Sequence, residues 1–124
     1  MRWTPAIIWM AVIFVATSIP NLQELPGGLS DTSYHAAGYA VLGALFVRGF
    51  AAARWEGVSP AAVLLAVACA AAYAAFDEWH QRFVPGRFPD VRDFAADAAG
   101  AAAAAIGVWA CGIIRRFRSA DSRG

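Results

Sequence analysis

"SPAAVLLAVACAAAYAAF", residues 59–76, decides the fold. Ser59 and Pro60 read as an N-cap and a first helical position. From Pro60 to Phe76 no charged residue falls on any face of the helix. A helix in a soluble bundle keeps a polar face along its length. This stretch keeps none, and it approaches the roughly 20 helical residues that a bilayer core of about 30 Å requires. The expected solvent is lipid.

Three further apolar runs flank it. "TPAIIWMAVIFVATSIP" (4–20) opens with Thr4 as the expected N-cap and Pro5 at the first helical position. A second run begins at "SDTSYHAAGYAVLGALFV" and extends over 33–53. It is interrupted by Arg48, which near a helix end can snorkel to the interface. The last run covers 93–114. The expected architecture is all-α: a four-span transmembrane helical bundle in one domain over 1–124, with spans near 4–20, 33–53, 60–77 and 93–114 and a basic tail at 115–124. The first run also reads as a cleavable signal peptide with "ATS" (16–18) as its small-residue site; a retained helix gives an even number of spans.

The whole composition agrees. Hydrophobic residues make up 60% of the chain, against about 45–50% in soluble domains, and mean hydropathy is +0.50. A chain of 124 residues has too little interior to hide that excess. All ten basic residues are arginine, yet the net charge is only +1, so a nucleic-acid partner is not expected. Cys69 and Cys111 fall inside apolar runs and read as buried small hydrophobes.

Arginine placement sets the expected orientation. Arg2, Arg48, Arg54, Arg115, Arg116, Arg118 and Arg123 share one end; Arg82, Arg87 and Arg92 lie at the other, each near acids. That asymmetry favours N-in, C-in. Glu24, Asp31, Asp77, Glu78, Asp90, Asp93 and Asp97 then gather at the outer end, with both histidines. The inner connection "AARWEGVS" is short and plain.

Three stripes converge there. Asp31, His35 and Tyr39 stand at i, i+4 and i+8, one face of the second helix, with His35 roughly 6 Å and Tyr39 roughly 12 Å below Asp31. Tyr73, Asp77 and Gln81 line the third helix, with Glu78 beside them, and Asp93, Asp97 and Gly100 line the fourth. Ionisable residues at membrane depth face the bundle interior or a wet cavity. The candidate ligand pocket is therefore Asp31, His35, Tyr39, Asp77, Glu78, Gln81, Arg87, Asp93 and Asp97. "FVPGR" (83–87) reads as a tight turn that folds Arg87 back, either to bind an anionic group or to pair with Asp77, Glu78 or Asp93. Asp31 and Asp93 also read as N-caps, Trp79 and His80 as interfacial residues, and Arg82 and Arg92 as headgroup contacts. Ala96 with Gly100, and Gly107 with Cys111, form small-residue faces that let helices approach closely, and the alanine-rich third and fourth spans, joined by a short loop, should form a tight antiparallel hairpin.

No HExxH or CxxC spacing is present, and no metal and no cofactor are expected. No nucleophile with a matched base is evident, so catalysis is left open.

"DTSYHAAGYAVLG" (31–43), "DEWHQRFVPGR" (77–87) and "DFAADAAGAAAAAIG" (93–107) together resemble the VanZ-like family of small bacterial integral membrane proteins. Two positions depart from its pattern: Thr32 stands where the family often has lysine, and Asp97 where it usually has asparagine. The resemblance implies a multi-pass protein of the bacterial cytoplasmic membrane with its polar cluster on the extracytoplasmic side, in a family linked to glycopeptide resistance. The expected partners are the lipid bilayer and an amphiphilic or lipid-linked envelope ligand, which the pocket binds or modifies, with homo-oligomer formation left open. The alternative is a non-catalytic structural or accessory subunit whose polar cluster fixes helix packing.

Overall fold

A computed structural model describes residues 1–20, 30–54 and 57–122. Glu24, Glu56 and Arg123 lie outside the described residues, as does most of the first connection. The described chain is all-helical: α1 (Thr4–Thr17), α2 (Asp31–Phe50), α3 (Pro60–Gln81) and α4 (Val91–Asp121). They alternate in direction, so the C-terminal ends of α1 and α3 meet the N-terminal ends of α2 and α4.

The helix ends have local causes. Ser59 caps α3 as expected, its hydroxyl accepting from the Ala62 amide at 3.1 Å. Thr4 is not a cap: α1 starts one residue earlier than expected, with Trp3 in the cap position and no side-chain cap bond. The caps of α2 and α4 are Ser30, accepting from Ser33, and Asp90, accepting from Arg92. Asp31 and Asp93 instead occupy the first turns, where a negative charge suits the helix dipole. Proline at 20 removes an amide and disfavours helix at the residue before it, so α1 stops at Thr17 and runs about 21 Å. α3 continues to Gln81 and α4 carries the basic tail as helix to Asp121, both beyond the spans expected for them.

α2 closes with a Schellman motif: the Ala53 amide reaches the Arg48 carbonyl at 2.8 Å and the Ala52 amide the Gly49 carbonyl at 3.2 Å. Ala52 and Ala53 hold φ of 53° and 64°, the left-handed region usually left to glycine there.

The tightest seam is between α2 and α4, not within the α3–α4 hairpin. A Cβ on Gly43 would lie 2.5 Å from the Ala101 carbonyl oxygen, and one on Gly100 would collide with the Ala36 carbonyl. The two helices touch backbone to backbone, which small residues permit in lipid. The Gly107–Cys111 face packs on no other helix among the described residues: a Cβ on Gly107 meets none of their atoms within 4 Å. Cys111 is exposed and Cys69 half-buried, so Cys111 is not the buried hydrophobe expected.

α1 is the outlying helix. It is held by its indole and by neighbours' hydroxyls: Trp9 Nε1 donates to the Gly38 carbonyl at 2.8 Å, and Tyr73 Oη donates to the Met10 carbonyl at 2.7 Å. Trp3 lies over Gly49 and meets Phe50 edge-on at 4.9 Å.

α3 and α4 are long and apolar enough to cross a membrane. Only 33% and 22% of their most apolar stretches is buried, whereas a core helix of a soluble protein would be mostly covered. Leu64, Leu65 and Ile106 point outward. α1 is apolar but shorter, at 14 residues.

Candidate functional site

At the end where α1 and α3 finish and α2 and α4 begin, the interior is polar. Asp77 and Asp97 are fully buried, Tyr39 and Gln81 nearly so, and His35 and Asp93 are 8% exposed. The helices bring them inward because their stripes face one another, while the outward positions stay apolar.

The α2–α4 seam creates the central contact. His35 Nδ1 lies 3.1 Å from Asp97 Oδ1 and 3.3 Å from its Oδ2. One turn above, His35 Nε2 stands 3.9 Å from Asp31 Oδ2, and Arg87 Nη1 is 3.6 Å from the same oxygen. Asp31, His35, Asp97 and Arg87 thus form one chain of charges. Asp93, in the first turn of α4, accepts from the Thr32 hydroxyl at 2.8 Å.

Arg87 reaches this position through the expected turn. The Arg87 amide bonds the Val84 carbonyl at 3.1 Å, and Gly86 takes φ of 75° after Pro85, the arrangement of a type II turn. Its guanidinium also donates to the Ile19 and Ala16 carbonyls at 3.3 and 3.4 Å. A cation there satisfies carbonyls left open at the end of α1. Its carboxylate partner is Asp31, not Asp77, Glu78 or Asp93.

Asp77 and Glu78 part company. Asp77 Oδ1 accepts from the Thr17 hydroxyl at 2.6 Å, and Gln81, one turn on, adds a looser polar contact. Neither Asp77 Oδ2 nor Gln81 Nε2 has a hydrogen bond of good geometry among the described residues, and the same holds for Glu78 Oε1 and Tyr39 Oη. The other Glu78 oxygen accepts from the Asp90 amide at 3.0 Å, which ties α3 to the start of α4.

A cleft of about 410 Å³ opens on this cluster between α1 and α2. Its walls are apolar, from Trp9, Val12, Ile13 and Val41; its polar end carries Asp31, His35, Tyr39 and Arg87. Asp77, Glu78, Gln81, Asp93 and Asp97 are not among its lining residues and sit deeper or to the side. Trp79 is exposed at the same end, while His80 packs on Phe14 at 4.4 Å between ring centres. Arg82 and Arg92 are exposed.

Sequence reasoning missed Thr17, Thr32 and Trp9 as parts of this region. Thr17 is a lone polar residue in the last turn of an apolar helix, a signal that could have marked it. Trp9 carries no such signal, because nothing in a uniformly apolar run tells a cleft wall from a lipid face.

Residues 3–115 match the family described as VanZ/LLP1. The chain belongs to the VanZ/LLP1 family. The match takes in α1, α2, α3, α4 as far as residue 115 and every residue of the polar cluster, so what this VanZ/LLP1 chain keeps buried lies within the family domain. No curated protein and no solved structure gives a match.

Proposed function

We propose that this VanZ/LLP1 protein is a four-span, N-in/C-in bundle of the bacterial cytoplasmic membrane that binds the headgroup of an amphiphilic, lipid-linked envelope ligand at its extracytoplasmic end. The observation that carries the reading is the cleft between α1 and α2. Apolar walls leading to a cluster of charged and hydroxyl groups fit a molecule with a tail and a polar head. Arg87 and His35 supply donors there, and Asp31 and Tyr39 complete the polar end. The orientation is supported by charge: Arg2, Arg48, Arg54, Arg115, Arg116 and Arg118 lie at the end opposite the polar cluster.

Gly38 makes the test clean. It lines the cleft, and a Cβ there meets nothing within 4 Å. Gly38→Leu therefore adds bulk to the cleft without replacing any residue of the polar network. Native mass spectrometry of protein extracted with its own lipids should show a defined lipid-linked species on the wild type and its loss from Gly38→Leu. Bulk phospholipid on both, equally, refutes the reading.

A structural role is the second reading, favoured by the bonds Thr17–Asp77, Thr32–Asp93 and His35–Asp97 that join separate helices. It requires Glu78→Gln to lower the melting temperature in detergent sharply. A binding site loses little stability from that change, and can gain some.

A further inference from the structure

The polar end holds five carboxylates, Asp31, Asp77, Glu78, Asp93 and Asp97, and the basic groups acting on them among the described residues are Arg87, His35 and His80. Arg87 is taken up by Asp31 and by α1 carbonyls. A buried charge is stable when it is paired or coordinates a metal. The deeper acids Glu78 and Asp97 have the His35 imidazole between them, and Asp77 has His35 and His80 within electrostatic reach.

We propose that His35, Glu78 and Asp97 bind a divalent first-row metal ion of the Zn2+ type. One donor atom from each of these residues lies within 4.8 Å of the others. Donors at roughly 2.0–2.2 Å from a tetrahedral zinc stand about 3.3–3.6 Å apart, so a side-chain adjustment of up to about 1.5 Å closes the site. Two carboxylates and a neutral imidazole balance a dication without residual charge. The imidazole argues against Mg2+ and Ca2+, which favour oxygen ligands alone.

Unpartnered atoms at the same place carry the inference beyond a mere cluster of acids. Glu78 Oε1 is buried with no hydrogen bond while its other oxygen is held by the Asp90 amide. Tyr39 is 1% exposed, its hydroxyl has no partner among the described residues, and it lies within electrostatic reach of Asp77, Asp97 and Glu78. A hydroxyl buried in this way costs free energy unless something completes it, and a water on the ion would do so. Asp31, held by Arg87, stands on the Nε2 side of His35 and orients the ring, leaving Nδ1 for the metal. A carboxylate behind a ligating histidine commonly does this. His35 and Tyr39 also line the cleft, so the ion is reachable from it. The inference does not rest on the lipid-ligand reading.

The experiment uses the full chain, without a polyhistidine tag, in nanodiscs, stripped with a chelator and titrated with Zn2+ against a chromogenic competitor. Wild type should take up one equivalent. Glu78→Gln and Asp97→Asn keep shape and should weaken binding at least about 100-fold. His80→Gln, which changes the other histidine at this end, should bind as wild type does. Zn2+ should also raise the melting temperature of wild type and not of the two ligand variants. Failure of wild type to bind one equivalent, or full retention of binding in both ligand variants, overturns the proposal. Loss of binding in His80→Gln does the same. If a ligand variant does not fold, Co2+ added to wild type decides: a ligand-field spectrum of an N/O site supports the proposal, and a spectrum of free Co2+ refutes it.

Discussion

Placing one methyl group at each of four helical glycines separates the packing account from helix propensity. At Gly43 the new Cβ would stand 2.5 Å from the Ala101 carbonyl oxygen. Real Cβ contacts essentially never fall under 3.0 Å, so the α2 and α4 backbones must part by at least the difference, 3.0 minus 2.5, or 0.5 Å. Gly100 against Ala36 demands more. Overpacking of this kind costs about 1–3 kcal/mol, and alanine returns up to about 1 kcal/mol through its better helix propensity. Gly43→Ala and Gly100→Ala should therefore be destabilised by about 0–2 kcal/mol. Gly38→Ala and Gly107→Ala, with open space around the new carbon, should gain about 0.5–1 kcal/mol. The gap between the pairs is the steric cost itself, about 1–3 kcal/mol, and for a chain of this size 1 kcal/mol moves the melting temperature by about 3–6 °C. Thermal unfolding in one detergent reads it. The two seam variants should also differ at the polar end. Gly100 is three residues from Asp97, and Ala36 adjoins His35, so Gly100→Ala should disturb the His35 side-chain nitrogen shifts in NMR more than Gly43→Ala does. Four variants of equal stability, or Gly100→Ala more stable than Gly38→Ala, would refute a backbone-contact seam.

Two further changes test the local chemistry. Thr17→Val keeps shape but removes the donor to the buried Asp77 carboxylate, so it should cost about 1–3 kcal/mol while Thr17→Ser costs less, measured as melting temperature. Ala52→Gly relieves a left-handed alanine at the position of the α2 Schellman motif where glycine is usual; it should stabilise by up to about 1 kcal/mol, and a loss of stability would count against that helix end.

Much of the helix layout is readable from residues. Ser59 with Pro60, the charge-free 60–76 stretch and the Pro85–Gly86 turn each state a local rule that the fold obeys. The convergence of the Asp31, Asp77 and Asp97 helices follows from spacing alone, because polar stripes in an apolar chain have one favourable direction to face. Pairings were less legible. Spacing on one helix says nothing of which neighbour a glycine touches, and only the structure shows that Gly100 meets Ala36 on α2. Arg87 could reach any of several acids, and only the path of the 83–87 turn selects Asp31. The cap positions slipped because Asp31 and Asp93 each follow a residue, Ser30 or Asp90, equally able to cap.

The contrast between the two sides of α2 has a mechanical consequence. Toward α4 it is joined by backbone contact at Gly43 and Gly100 and by the Thr32–Asp93 and His35–Asp97 pairs. Toward α1 it is joined by a smaller apolar contact through Ala6, Ile13 and Trp3 and by polar attachments: an indole to a carbonyl, with Tyr73, Thr17 and the Arg87 guanidinium fastening the rest of that helix. Such fastenings can be undone one at a time, whereas the seam yields all at once or not at all. α1 is thus the helix of the bundle with the least to lose on separating. Swinging it away opens the whole wall of the cleft and takes the Thr17 hydroxyl from Asp77, while His35 and Asp97, both anchored in the α2–α4 half, keep their distance.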